Sequence, residues 1–283
     1  MVYSLLLRSG KQMIEAETGF FNWNQAWNDE MILTGRCRLN DGIFWNTKAA
    51  ENARASFTSE LTEKQLALTA PSAEKSILEI GPGTGRLTIP LAQRSRRVTA
   101  VDPSAVMLGH LKKRAAEEGV ENLIYLNSAW EDLHAEMLPE TPDIILASYS
   151  LFMTDMACQL KRMNDIAGEK VILFVPGEPR ASSGVRKILY GTEAAAGRSD
   201  HVILFNLLHS LGIDANVEII TSHCRKEFDC AESAARDLAE FHSAPEHKMP
   251  GLIQYVRGRL KIENGKYIFK QKRKTAALWW LTP

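Results

Sequence analysis

The chain has 283 residues, 45% apolar and 24% charged. That is enough to bury a full core in one large domain or two small ones, and it excludes a disordered or membrane-embedded composition. The 34 basic residues balance 34 acidic ones, so no global field draws the protein to nucleic acid or to an anionic membrane. No apolar run nears the ~20 residues of a membrane-crossing helix. The start, MVYSLLLRSGK, lacks the leading positive charge and small-residue cleavage site of a secretory signal, which points to a cytoplasmic protein. Cys37, Cys158, Cys224 and Cys230 are scattered without pairing, as expected of reduced, packed thiols. The spacing of His223, Cys224 and Cys230 matches no zinc signature, and no metal is expected.

Trp23 to Leu68 is rich in aromatic, Ala, Glu and Leu residues without alternation. It predicts two or three short helices broken near Asn40-Asp41-Gly42, a cap over residues 1–70. Its Trp23, Trp27, Phe44 and Trp45 are expected to pack on the body, with a ligand contact from Phe44 or Trp45 as the alternative. A regular alternation follows. Strands are expected at Ile77–Ile80, Val98–Val101, Leu123–Leu126, Ile144–Ala147 and Val171–Val175. Between them come helical stretches at Leu87–Leu91, Ala105–Glu118 and Met153–Ala167. Strands apolar on both faces and separated by helices indicate a doubly wound, mostly parallel α/β sheet.

Beyond Pro176 the pattern loosens. Gly177 to Gly197 reads as a long active-site loop with a short helical piece. A helix is expected from His201 to Leu211 and a sixth strand from Val217 to Thr221. Asp229 with Glu232 reads as a capping box for a helix to Phe241, and Pro250 sits in the first turn of another. Asn264-Gly265 marks a tight turn. Tyr267–Phe269 and Ala276–Leu281 are expected in the last strand, running back antiparallel. Residues 71–283 thus form one α/β domain with a helical insertion around 229–262.

The organising stretch is SILEIGPGTGR, Ser76 to Arg86. Glycines at a strand-to-helix turn are needed sterically whatever is bound, so the context has to discriminate. Gly81, Gly83 and Gly85 are spaced two apart, not G-x-G-x-x-G as in dinucleotide folds, and Glu79 precedes them. Asp102 ends the second strand, 21 positions after Gly81 and before Pro103-Ser104. An acid there accepts hydrogen bonds from both hydroxyls of a ribose, which also suits a nicotinamide or flavin oxidoreductase.

EIGPGTG resembles the first motif of class I S-adenosylmethionine-dependent methyltransferases. The resemblance implies a Rossmann-like sheet of seven strands in the order 3-2-1-4-5-7-6. The charges suit the ligand, because a sulfonium and an ammonium favour an acid at Glu79 where a pyrophosphate would be repelled. It implies cofactor contacts from Glu79, Gly81, Pro82, Gly83, Thr84, Gly85, Asp102, Pro103, Ser104 and Met107. In NSAWEDL, Asn127–Leu133, the chain has Ala129 where many relatives carry Asp. Adenine recognition then falls to Ala129 and Trp130, with Glu131 or Asp132 as acceptor; Trp130 either stacks on the purine or packs in the core.

Ser148 and Tyr149, at the tip of the fourth strand, are implied to lie beside the reactive methyl. The proline pair and aromatic of base N-methyltransferases is missing there. In-line displacement needs alignment and exclusion of water first, and a base only where the acceptor must lose a proton. Tyr149, Asp155, His201 and His209 are the candidates, with Tyr149 and His201 as catalytic residues. The basic run Lys261–Lys274 reads as a solvated strand and turn, with RNA binding as the lesser reading. A small-molecule acceptor is expected; a non-catalytic S-adenosylmethionine-binding protein and an RNA or protein methyltransferase are the alternatives.

Overall fold

A computed structural model of the chain describes residues 21–40, 42–46, 59–178, 183–191, 199–242 and 244–283. Parts of the expected cap (1–20 and 47–58) and of the expected loop (179–182 and 192–198) lie outside the described residues.

The first five strands are β1 (Ser76–Ile80), β2 (Arg97–Val101), β3 (Leu123–Leu126), β4 (Ile144–Ser148) and β5 (Lys170–Pro176). Alternate residues feed opposite faces. Leu78, Ile145 and Leu173 join one core cluster, while Ile77, Leu146 and Ile172 join the other. Both faces are covered, as a parallel sheet requires. On the first face lie α1 (Trp23–Leu33), α5 (Met156–Ile166) and α7 (Asp200–Ser210). On the second lie α2 (Ser59–Thr69), α3 (Thr88–Ala92) and α4 (Ala105–Glu117).

The remaining strands are β6 (Asn216–Phe228), β7 (Leu260–Glu263) and β8 (Lys266–Leu281). The sheet order is β3-β2-β1-β4-β5-β8-β6, with β7 paired to β8 off this path. β8 occupies the expected seventh position and alone runs antiparallel to its neighbours β5 and β6. The ladder is longer than expected: β6 and β8 stay paired from Asn216↔Trp279 to Phe228↔Tyr267. Apart from Tyr267–Phe269 the outer half is polar, which is why only 217–221 and two pieces of β8 read as strand. Asn264 and Gly265, at φ +49° and +75°, join β7 to β8 in the two-residue turn that favours left-handed residues.

Two helix starts differ from expectation. The cap of α8 (Ala231–Phe241) is Cys230, whose Sγ accepts from the Ser233 N–H. Asp229 instead accepts from Lys266 Nζ across the arm. The helix expected from Met153 begins at Met156, because Asp155 adopts φ +48°. Its N-terminus is capped from outside: Asn24 Oδ1 accepts from the Ala157 N–H at 2.9 Å and Asn28 Oδ1 from the Asp155 N–H at 3.0 Å, both from α1. The thiols are not packed as expected either, since Cys37 and Cys158 are exposed. The last helices are α6 (Ser183–Tyr190) and α9 (Met249–Arg257), with Pro250 in the first turn of α9. Among the described residues no helix is long and apolar enough to cross a membrane.

Candidate functional site

The carboxyl ends of β1, β2 and β4 meet where the strand order reverses, the position of the ligand crevice in open α/β sheets. The loop after β1 turns through Gly81, Gly83 and Gly85, at φ +68°, +57° and +91°. Only glycine takes such angles freely, and two of the three also need the missing side chain. A Cβ at Gly81 would stand 2.3 Å from Ser150 Cβ, and one at Gly85 2.5 Å from Leu111 Cδ1 of α4. Gly83 is different: nothing lies within 4 Å of its absent Cβ, so the loop opens there into free space.

Glu79 is 2% exposed in β1, and its Oε2 has no hydrogen-bond partner among the described residues. Burial pushes its carboxyl up to about 7, against the pull of the Thr88 hydroxyl and the Arg86 guanidinium, while Asp102 adds to the rise. Asp102 is also buried, and burial pushes it up to about 6, opposed by the N–H groups of Ser104 and Gly83. The Ser104 N–H donates to Asp102 Oδ1 at 2.8 Å. Two buried acids beside a glycine turn, one of them Glu79 with an unpartnered oxygen, fit a ligand with an ammonium and a ribose. S-adenosylmethionine has both.

Ser104 caps α4 by accepting from the Met107 N–H, and Met107 itself is buried. The Ser104 hydroxyl donates to Asn46 Oδ1 at 2.7 Å, so the segment 42–46 docks on the Pro103-Ser104 loop. A Cβ at Gly42 would lie 2.4 Å from the Pro103 carbonyl oxygen. On its other side Trp45 packs on Phe152, centroids 5.8 Å apart, and Phe44 packs edge-on to Trp45. The cap thus spans from the Asp102 loop to the tip of β4. Replacing Asn46 with Ala removes the acceptor of the Ser104 hydroxyl. It is expected to cost about 1 kcal/mol, the usual value of such a bond, read as a lower midpoint in urea with an unchanged slope.

At the β4 tip, Tyr149 holds φ +58° and its N–H donates to the Phe174 carbonyl. Its hydroxyl pairs with Thr275 Oγ1 of β8, so the phenol is anchored against the sheet. Ser148 Oγ accepts from Gln65 Nε2 of α2 and from Arg86 Nη2, both at 3.2 Å. His201 stands at the carboxyl end of β5, hydrogen-bonded to the Pro176 backbone; burial lowers its pKa. Its Nδ1 is buried without a partner among the described residues.

The other base candidates are differently placed. Asp155 is the residue before the first turn of α5, with Oδ1 accepting from Asn24 Nδ2. His209 is exposed in the last turn of α7, about 12 Å along that helix from His201.

On the β3 side the tip is tied to β2 by Asn127 Nδ2, which donates to the Asp102 carbonyl at 3.0 Å. Pro82 is buried in the glycine loop, whereas Thr84, Ala129 and Glu131 are half-buried and Asp132 is exposed. Trp130 is 2% exposed in the core beneath the Arg162 guanidinium, 4.7 Å from the ring centroid. The packing alternative holds for its ring, which has no face to stack on a purine. Arg162 Nη1 also donates to the Trp130 and Glu131 carbonyls, fixing the backbone there. Sequence reasoning did not single out Arg86, Gln65 or Asn46. Arg86 directly follows the third glycine, and that adjacency was the only signal.

A family model described as methyltransferase domain matches residues 77–167. An uncharacterised protein of Haemophilus influenzae is 26% identical over 92% of this chain and 96% of its own length. A probable S-adenosylmethionine-dependent methyltransferase of Saccharomyces cerevisiae is 30% identical over 31% of this chain and 29% of its own. The YcgJ protein of Bacillus subtilis shares the fold with a TM-score of 0.55 at 14% identity, covering 80% of this chain and 99% of that one. Residues 77–167 thus carry a methyltransferase domain, and the strand order and donor-site motif are similar to those of class I S-adenosylmethionine-dependent methyltransferases, enzymes whose cofactor is S-adenosylmethionine.

Proposed function

We propose that the enzyme methylates a small-molecule acceptor held between the β4 tip and the helical cap. The observation that carries this reading is the lid. Residues 42–46 rest on the Pro103-Ser104 loop through Asn46 and on Phe152 through Trp45, a bridge that suits a small acceptor better than a large surface. The basic run supports it, because Lys266 is paired with Asp229 and Lys270 with Glu263. Charges already neutralised in this way release few counterions from a polyanion.

S-adenosylmethionine, when bound, supplies a methyl group already activated by its sulfonium. Glu79 would receive the ammonium, the Thr84 N–H of the glycine loop would face the carboxylate, since those of Gly81 and Gly85 donate to the Val101 and Pro82 carbonyls, and Asp102 would accept from the ribose. The Ala129-Trp130 backbone receives the adenine, with Glu131 beside it. Ser148 and Tyr149 line the transfer point, and the aromatic roof of Phe44, Trp45 and Phe152 keeps water out. Where the acceptor has a proton to lose, His201 takes it. Its lowered pKa favours the neutral ring, and Nδ1 has no partner among the described residues, whereas the Tyr149 hydroxyl is engaged by Thr275.

Incubation with S-adenosylmethionine labelled in the methyl group and a fractionated cell extract tests the acceptor class. Label is expected in the small-molecule fraction; label confined to RNA or to protein would overturn the reading.

A further inference from the structure

We propose that Arg86 is a positioning residue of the donor site, a guanidinium clamped between α2 and the β4 tip that supplies the fixed positive charge opposite Glu79. The inference rests on the reading of the glycine loop as the S-adenosylmethionine site. Arg86 Nη1 donates to Gln65 Oε1 at 2.7 Å and to Thr62 Oγ1 at 3.0 Å, and Nη2 donates to Ser148 Oγ at 3.2 Å. Gln65 is fully buried and completes the ring by donating to the same Ser148 hydroxyl. The fork therefore fixes Arg86 from a helix and a strand that are distant in sequence, and the planar guanidinium suits such a multidentate seat better than an ammonium does.

What this charge does follows from its neighbours. β1 pairs with β4 so that Glu79 is opposite Leu146, and the Ser148 side chain that Arg86 Nη2 holds, two residues further along β4, is on the same face of the sheet as Glu79. The groups that act on the Glu79 carboxyl are Arg86 from the glycine loop, Asp102 after β2 and the neutral Thr88 hydroxyl on α3. Tyr149 of β4 faces Arg86 from the other side. Burial and Asp102 both oppose ionisation of Glu79, and Arg86 is the one cation among these groups that favours it. An incoming ammonium and sulfonium need the carboxylate form. Ligand affinity is then highest above the Glu79 pKa of about 7 and falls about tenfold per pH unit below it. Removing Arg86 raises that pKa further and moves the acid limb of binding upward.

The test is calorimetric binding of S-adenosylmethionine from pH 6 to pH 8.5. Arg86→Met is expected to weaken binding about tenfold near pH 7, with the deficit shrinking toward pH 8.5, because an opposite charge nearby shifts a carboxyl by a unit or more. The ligand's own amino group titrates near pH 8, equally for both proteins, so the ratio of their affinities isolates Glu79. Arg86→Lys keeps the charge without the fork, and its acid limb is expected where the wild type has it. Glu79→Gln is expected to abolish the limb. A deficit in Arg86→Met that is the same at every pH would assign Arg86 a packing role only. If the Met variant does not fold, an acid limb in Arg86→Lys displaced upward, or one persisting in Glu79→Gln, overturns the proposal. Failure of the wild-type protein to bind S-adenosylmethionine or S-adenosylhomocysteine at any pH would instead sink the donor-site reading itself.

Discussion

Arg36→Met is expected to destabilise the protein by about 3–5 kcal/mol, because it strands a buried carboxylate. Arg36 Nη1 lies 2.7 Å from Asp200 Oδ2, with side chains 4% and 5% exposed. The guanidinium is further held by Thr34 Oγ1 and sits 5.7 Å over the Trp27 ring. This pair joins the turn after α1 to the first residue of α7. It does so next to a second fixed point, where Trp27 Nε1 donates to the Met153 carbonyl in the core. Breaking it takes from the buried Asp200 carboxylate the guanidinium that lies 2.7 Å from it. Replacing both partners by residues of similar volume, Arg36→Met with Asp200→Leu, removes the desolvation cost along with the attraction and is expected to recover most of the loss. The check is a denaturant series on both single variants and the double variant. A single variant within 1 kcal/mol of the wild type would show that the pair is not buried as described. Because His201 follows Asp200 directly, the double variant also reports whether the α7 start must be anchored for turnover.

The contrast between that pair and the glycine loop shows what could be read in the residues alone. β1 and β5 announced themselves because both faces of each strand are covered, so Val171 through Val175 is a continuous apolar run and Ile77 through Ile80 is interrupted by Glu79 alone. The donor motif was legible for the same local reason: Glu79, the glycines and Asp102 are fixed by the geometry of a single strand-turn-helix unit and the strand beside it. Arg36 and Asp200 are 164 positions apart, and no local periodicity marks one charged residue among many as another's partner. Asn24 and Asn28 were equally silent, since they cap α5 from α1 and not their own helix. The outer half of β6 and residues 270–275 of β8 escaped notice because they carry polar residues such as Arg225, which pairs with Glu263 of β7, and not an apolar stripe. Cys230 was passed over for Asp229 at the α8 cap because oxygen is the commoner capping acceptor. The cap geometry selects the residue that can face the Ser233 N–H, and that is the thiol.

Asp102→Asn is expected to make the ligand-free protein more stable at pH 8 and to cripple donor binding at the same time. Asp102 titrates at about 6 in the fold against an ordinary value of 3.8. An acid whose pKa rises on folding takes up a proton when the chain folds, so stability falls as pH climbs from about 4 to about 6 and stays low above that window. The gap corresponds to about 3 kcal/mol withheld from the ligand-free fold at neutral pH. Glu79, raised from 4.5 to about 7, adds a penalty of the same sign over a window that ends higher. The asparagine keeps an oxygen to accept from the Ser104 N–H but carries no charge to desolvate. Its gain in stability is therefore expected at pH 8, shrinking toward zero near pH 4, where the wild-type carboxyl is neutral too. Binding moves the other way. A charged acceptor is worth about 1.5–3 kcal/mol per hydrogen bond, so losing it against two ribose hydroxyls is expected to weaken S-adenosylmethionine about 100-fold or more. Thermal unfolding with and without ligand at pH 5 and pH 8 separates the two effects. Reduced stability of the asparagine variant at pH 8 would mean that the loop N–H groups over-compensate the buried charge. The penalty would then lie with Glu79 alone. If both hold as expected, the two carboxylates that destabilise the empty fold are those that a cationic, ribose-bearing ligand relieves, and the site is built for that ligand at the expense of its own stability.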